Sequence, residues 1–148
     1  MQAHYLGHVV FYVKELERSL VFYRDVLGFQ EAGKALGGQA VALTSGRTHH
    51  EILLIEVGDA PAPPSGVRRG LYHIGIKVGE SLEELRAAKK ELELQGISIS
   101  GMSDHTVTQS LYLQDPDGNE VEVYVDDPDF DWKQDPSLIL SPIKTLNM

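Results

Sequence analysis

The 148-residue chain contains no cysteine. Disulfides, thiolate metal sites and a cysteine nucleophile are therefore excluded, and the composition suits a reducing compartment. Long apolar runs are also missing, so no segment reads as a membrane span. Basic residues are in deficit: 13 Lys and Arg against 22 Asp and Glu leave a formal net charge of −9. This balance argues against binding nucleic acid or anionic membrane through a basic surface. The opening segment, Met1 to Val13, lacks a basic stretch followed by a long apolar one, so no signal peptide is expected and the expected location is cytoplasmic. With 42% hydrophobic and 24% charged residues, what remains is ordinary globular composition, sufficient for one domain with a real core.

The chain is written twice. His8-Val-Val-Phe-Tyr-Val13 is a β-branched and aromatic run that reads as a strand. Leu16, Leu20, Tyr23 and Leu27 then fall at helical spacing, and Gly28 suits a left-handed cap. Strands are expected near 30–32, 39–43 and 51–57. The second copy opens with His73-Ile-Gly-Ile-Lys-Val78. Ser81 and Glu84 form a capping box, Leu82, Leu85 and Leu92 make the apolar stripe, and Gly96 repeats the part of Gly28. Strands near 97–100, 109–113 and 120–125 complete it, the last two joined by the turn Asp115-Pro-Asp-Gly-Asn119.

The fold class is thus α+β, built from two βαβββ modules: module 1 at about 4–58, a Pro-rich linker at 59–70, and module 2 at about 71–125. Two such curled mixed sheets can pair about a pseudo-twofold axis and form a barrel around a cavity. The tail, 126–148, alternates acids and prolines around Trp132 and ends in the apolar stretch Leu138–Leu140. It is expected to wrap back on the single domain. Loops around Lys34–Gly38, Gly66–Gly70 and Gly101–Thr106 are expected to shape the cavity.

His8 and His73 occupy matching positions, each opening its copy. Either histidine alone would ordinarily be a surface residue, but two related by the repeat would face one cavity. Glu122 lies in a strict alternation, with Val121, Val123 and Val125 on one face and Glu120, Glu122 and Tyr124 on the other. Two imidazoles and one carboxylate form the facial triad suited to non-haem iron(II), with manganese, zinc or another divalent metal tolerated.

Three segments carry a resemblance to a known family: His8 to Phe29, containing Phe22-Tyr-Arg-Asp-Val-Leu-Gly-Phe29; Leu71 to Val78; and Ser110 to Tyr124, containing Asp115-Pro-Asp-Gly-Asn119. The chain resembles the vicinal oxygen chelate superfamily, which includes glyoxalase I, bleomycin-resistance proteins and extradiol ring-cleaving dioxygenases. It is most similar to a single-domain extradiol dioxygenase. That resemblance implies Fe(II)-dependent cleavage of a catechol-type diol by O2 in aromatic catabolism, with His8, His73 and Glu122 holding the metal. It further implies catalytic roles for His50, as acceptor of a substrate proton, for Tyr112, as hydrogen-bond donor to a substrate oxygen, and for His105, steering the ring or supplying a proton. A homodimer is also implied. Two alternatives stay open: a lyase or isomerase of the glyoxalase I type, needing a fourth ligand for which Glu56 and Glu51 are the candidates, and a drug-binding protein on the same fold.

Overall fold

Alternating strands place every second side chain on one face, and in β1 and β8 the buried face is the apolar one. In this computed structural model, which describes residues 1–64 and 66–148, the chain divides into two compact units, Met1–Gly66 and Val67–Met148. Ser65, in the Pro-rich linker, lies outside the described residues.

The first unit begins with β1 (Val9–Val13), whose Phe11 and Val13 are buried while Val10 and Tyr12 are exposed. Helix α1 (Leu16–Leu20) follows and continues as a π-helical turn over Val21–Val26. The Leu27 amide donates to the Phe22 carbonyl, five residues back. That widened turn rotates the buried face, so Phe22 and Tyr23 are both buried and Leu27, expected in the stripe, is only half-buried. Gly28, at φ 80°, ends the helix as expected. Strands β2 (Gln30–Ala35), β3 (Ala40–Thr44) and β4 (Ile52–Glu56) complete a sheet of order β1-β4-β3-β2. β1 and β4 are parallel and the other pairs antiparallel.

The second unit repeats this plan. It contains β5 (His73–Gly79), α2 (Leu82–Leu94), β6 (Gly101–Asp104), β7 (Thr108–Gln114) and β8 (Glu120–Asp126). Their order is β5-β8-β7-β6, with β5 and β8 parallel. The Ser81 hydroxyl accepts from the Glu84 amide, and the Glu84 carboxylate reaches back to the Glu80 amide at 2.6 Å. At the other end Gly96, at φ 75°, allows its own amide to reach Glu93 and the Ile97 amide to reach Leu92, which satisfies the last carbonyls. Leu85 and Leu92 are buried, Leu82 half-buried. Helix α2 lies against β5, β7 and β8, with the core supplied by Val121, Val123, Val125, Leu111 and Leu113.

Three expectations are revised. The strand placed near 97–100 begins at Gly101, because residues 97–100 are spent leaving the helix cap, and Gly101–Asp104 is strand, not loop. Lys34 and Ala35 likewise extend β2. In place of a closed barrel, the structure has two open curled sheets, each mixed, whose outer strands pair on one side only among the described residues. The tail does return to its own unit, through β9 (Lys144–Thr145), which pairs with β6 at Ser103 and Asp104. Its buried anchor is Leu146, while Ile139 and Leu140 stay exposed.

Candidate active site

The polar face of β8 is built by register. Glu122 stands opposite Tyr112 on β7 and opposite Gly75 on β5, and Glu120 stands opposite His73. Glycine at position 75 matters: a Cβ there would lie 3.3 Å from the Tyr124 ring and 3.6 Å from Glu122 Oε2, so its absence gives the carboxylate room.

His73 stands between two carboxylates. Its Nδ1–H donates to Glu120 Oε1 at 3.3 Å, and its Nε2 lies 3.2 Å from Glu122 Oε2. The Tyr112 hydroxyl donates to the other oxygen of Glu122 at 3.4 Å and shares a 2.8 Å hydrogen bond with His105 Nε2. Burial, and then the Glu122 charge, push the Tyr112 phenol up from its ordinary pKa, so it remains a protonated donor at neutral pH. The Glu120 carboxylate, hydrogen-bonded to Tyr72, raises that phenol too.

His105 sits in the β6–β7 turn, fixed by an unusual backbone. Thr106 is buried and adopts φ 72°, a left-handed conformation costly for a β-branched residue. Its amide donates to Asp104 Oδ1 at 2.7 Å, and the Val107 amide closes on the His105 carbonyl. These contacts aim the imidazole at Tyr112. Of the residues singled out from sequence, the structure therefore brings His73, Glu122, Tyr112 and His105 into one connected array.

The first unit holds its own histidine cluster. His8 immediately precedes β1, and His49 and His50 end the β3–β4 loop. The rings of His8 and His50 lie 4.6 Å apart, and those of His49 and His50 4.4 Å apart. Burial, then the neighbouring His49 and His8, lower the pKa of His50. Glu51 and Glu56 are engaged elsewhere. Glu51 accepts from the Ser45 amide and hydroxyl at 2.8 Å each and pairs with Arg47. Glu56 accepts from the Leu16 amide at 2.8 Å and so caps α1, whose N-cap residue Glu15 makes no side-chain cap.

The repeat also answers where a fourth ligand would stand. If His8 corresponds to His73, then Val10 corresponds to Gly75, and its partner Leu53 to Glu122. An apolar side chain occupies the carboxylate position in the first copy.

Glu120 and Tyr72 were not singled out as site residues from sequence. The signal for Glu120 was its place on the Glu122 face; its contact with His73 needed the parallel register. His49, whose ring lies 4.4 Å from that of His50, is likewise not singled out by the sequence.

Among the described residues, no group of three or more His, Asp or Glu able to hold a metal ion is found. The donor set of the second unit nevertheless fits one. Two ligands each about 2.1 Å from a shared ion and at roughly a right angle lie about 3 Å apart, close to the His73–Glu122 spacing of 3.2 Å. A carboxylate behind the other ring nitrogen, as Glu120 is, is the usual support of a metal-binding histidine.

Residues 5–123 match the family model described as Glyoxalase/Bleomycin resistance protein/Dioxygenase superfamily. The chain belongs to this superfamily. It is 37% identical over 131 residues to a catechol-2,3-dioxygenase of Bacillus subtilis (strain 168), covering 88% of this chain and 45% of that protein. It is 31% identical over 121 residues to biphenyl-2,3-diol 1,2-dioxygenase 2 of Rhodococcus globerulus, covering 81% and 62% respectively. The chain thus spans about half the length of the curated relatives it matches. A glyoxalase/dioxygenase of Nostoc punctiforme shares the fold, with a TM-score of 0.72 at 17% identity over 84% of this chain and 92% of that one.

Proposed function

We propose that the chain is a metal-dependent extradiol dioxygenase that cleaves a catechol-type aromatic diol with O2. The observation that carries this reading is the connected array of His105, Tyr112, Glu122 and His73, with Glu120 behind His73. His73 and Glu122 would hold the metal with His8, which enters from the sequence repeat and the family resemblance; Fe(II) is the proposed ion and Mn(II) the second choice. A bound divalent metal supplies Lewis acidity toward the diol oxygens and a meeting point for diol and O2.

The remaining work falls to side chains. Tyr112, kept protonated by burial, donates a hydrogen bond to a diol oxygen placed next to Glu122. His105 holds the Tyr112 hydroxyl in position and can pass a proton to it through their 2.8 Å contact. Glu120 keeps the His73 ring oriented with Nε2 toward Glu122. His50, beside His8, accepts a diol proton in this reading, a role taken from the family resemblance. The proposed species is a homodimer in the cytoplasm.

The glyoxalase-type alternative is disfavoured because Glu56 and Glu51 are committed to a helix cap and a loop, and Leu53 stands where a fourth carboxylate would. The test is metal analysis of anaerobically purified protein, followed by assay with simple catechols. Stoichiometric iron or manganese and a yellow ring-opened product are expected. Metal without ring cleavage of any diol, or no metal retention after anaerobic purification, would overturn the reading.

A further inference from the structure

The second unit contains a cleft of about 260 Å³ that opens on Glu122. Its floor is the polar face of β8, with Glu122, Tyr124 and Asp126, and part of its wall is Thr108. The opposite wall comes from the tail: Trp132 and Ile139, which are 45% and 50% exposed. Together they give a cleft with a polar floor and one apolar side, the combination that ligand pockets use for grip and orientation.

The segment that carries them is tied at both ends. On entry, the Asp127 amide donates to the Val107 carbonyl, and Gln109 Nε2 donates to Asp127 Oδ2 at 2.6 Å. On exit, Lys144 and Thr145 pair with β6 and Leu146 is buried. Between these ties, short local turns set the strap's shape: Asp131 accepts from the Lys133 amide and from Gln134, and Asp135 caps the helical turn Pro136–Leu140. These turns set the path of the backbone on either side of Trp132.

The charge of the cleft is one-sided. No cation lines it among the described residues. Lys77, the cation beside Asp126, is shared between Asp126 at 2.7 Å and Glu80 at 2.6 Å. Lys133 Nζ lies 5.7 Å from the Trp132 ring centroid but does not line the cleft, so a substrate carboxylate inside it would meet Glu122 and Asp126 first.

We propose that the strap bearing Trp132 and Ile139 is a specificity wall, selecting aromatic diols that carry a neutral apolar ring substituent and rejecting those that carry a carboxylate. This rests on the dioxygenase reading for the identity of the diol, with Trp132 and Ile139 gripping the substituent while the diol oxygens lie toward Glu122.

Trp132 is the sole tryptophan, so its emission reports on the cleft directly. The purified full chain would be titrated anaerobically with 4-tert-butylcatechol, catechol and 3,4-dihydroxybenzoate, and kcat/KM measured for each in air. Saturable quenching is expected, with 4-tert-butylcatechol half-saturating at a concentration about tenfold below catechol and 3,4-dihydroxybenzoate weakest, a ratio in the range that hydrophobic pockets achieve. Ile139→Ala should shrink the tert-butyl preference several-fold in both readouts. Trp132→Ala should do so through KM in the kinetic one, and Trp132→Phe should restore part of it. Equal half-saturation by all three diols, or an unchanged preference in a folded Ile139→Ala protein, would overturn the proposal. Failure of the dioxygenase reading looks different: no diol is cleaved, yet Trp132 quenching still reports whether the cleft prefers the neutral apolar ring.

Discussion

Glu120 touches His73 at Nδ1, on the side of the ring away from Glu122, and so acts through the histidine. Removing its charge while keeping its shape should loosen the ring and weaken metal retention. Glu120→Gln is expected to lower metal affinity by about 10–100-fold, read by competition with a chromogenic chelator. An affinity equal to the parent's would show that His73 needs no such support. The pairing of Tyr112 with Glu122 is legible in the sequence; that of Glu120 with His73 is not. A five-residue turn between two alternating strands fixes their antiparallel register, and Tyr112 falls opposite Glu122 by counting outward from the turn. The partner of His73 lies across a parallel pair whose connection is a whole module, and no short turn announces that register. The same holds for His105, whose aim depends on the left-handed Thr106, a conformation that residue type argues against.

Elements were legible where periodicity and caps agreed. α2 has its capping serine, its acidic first turn and its closing glycine, and it runs where those signals place it. α1 departs because a π-helical turn adds a residue, which no 3.6-residue pattern can show, and because its cap comes from 40 residues away. That borrowed cap is testable. Glu56→Ala removes the acceptor for the Leu16 amide and should cost about 1 kcal/mol, measured by denaturant unfolding. It should leave metal content at the parent level, because the carboxylate is committed to the helix. Loss of metal from a folded Glu56→Ala protein would instead revive the four-ligand reading. The Leu53 position supports the same conclusion from the opposite direction, since the repeat places an apolar residue where the second copy has its carboxylate.

Across the whole molecule, the duplicated βαβββ plan was readable because both copies share an opening histidine strand, a capped helix and a closing glycine. The open edges of the two sheets were not, since strand patterns report faces and say nothing about closure. The short cover on β6 bears on the protein's colloidal behaviour. Among the described residues, β6 is paired on its outer side by Lys144 and Thr145, with Leu146 as the anchor. Exposed strand edges template pairing with other chains. A protein lacking residues 144–148 should therefore self-associate beyond the state of the parent, with light scattering that rises with concentration; scattering identical to the parent's would show that β6 needs no cover. Residues 144–148 would then keep Gly101–Asp104 from seeding an intermolecular sheet.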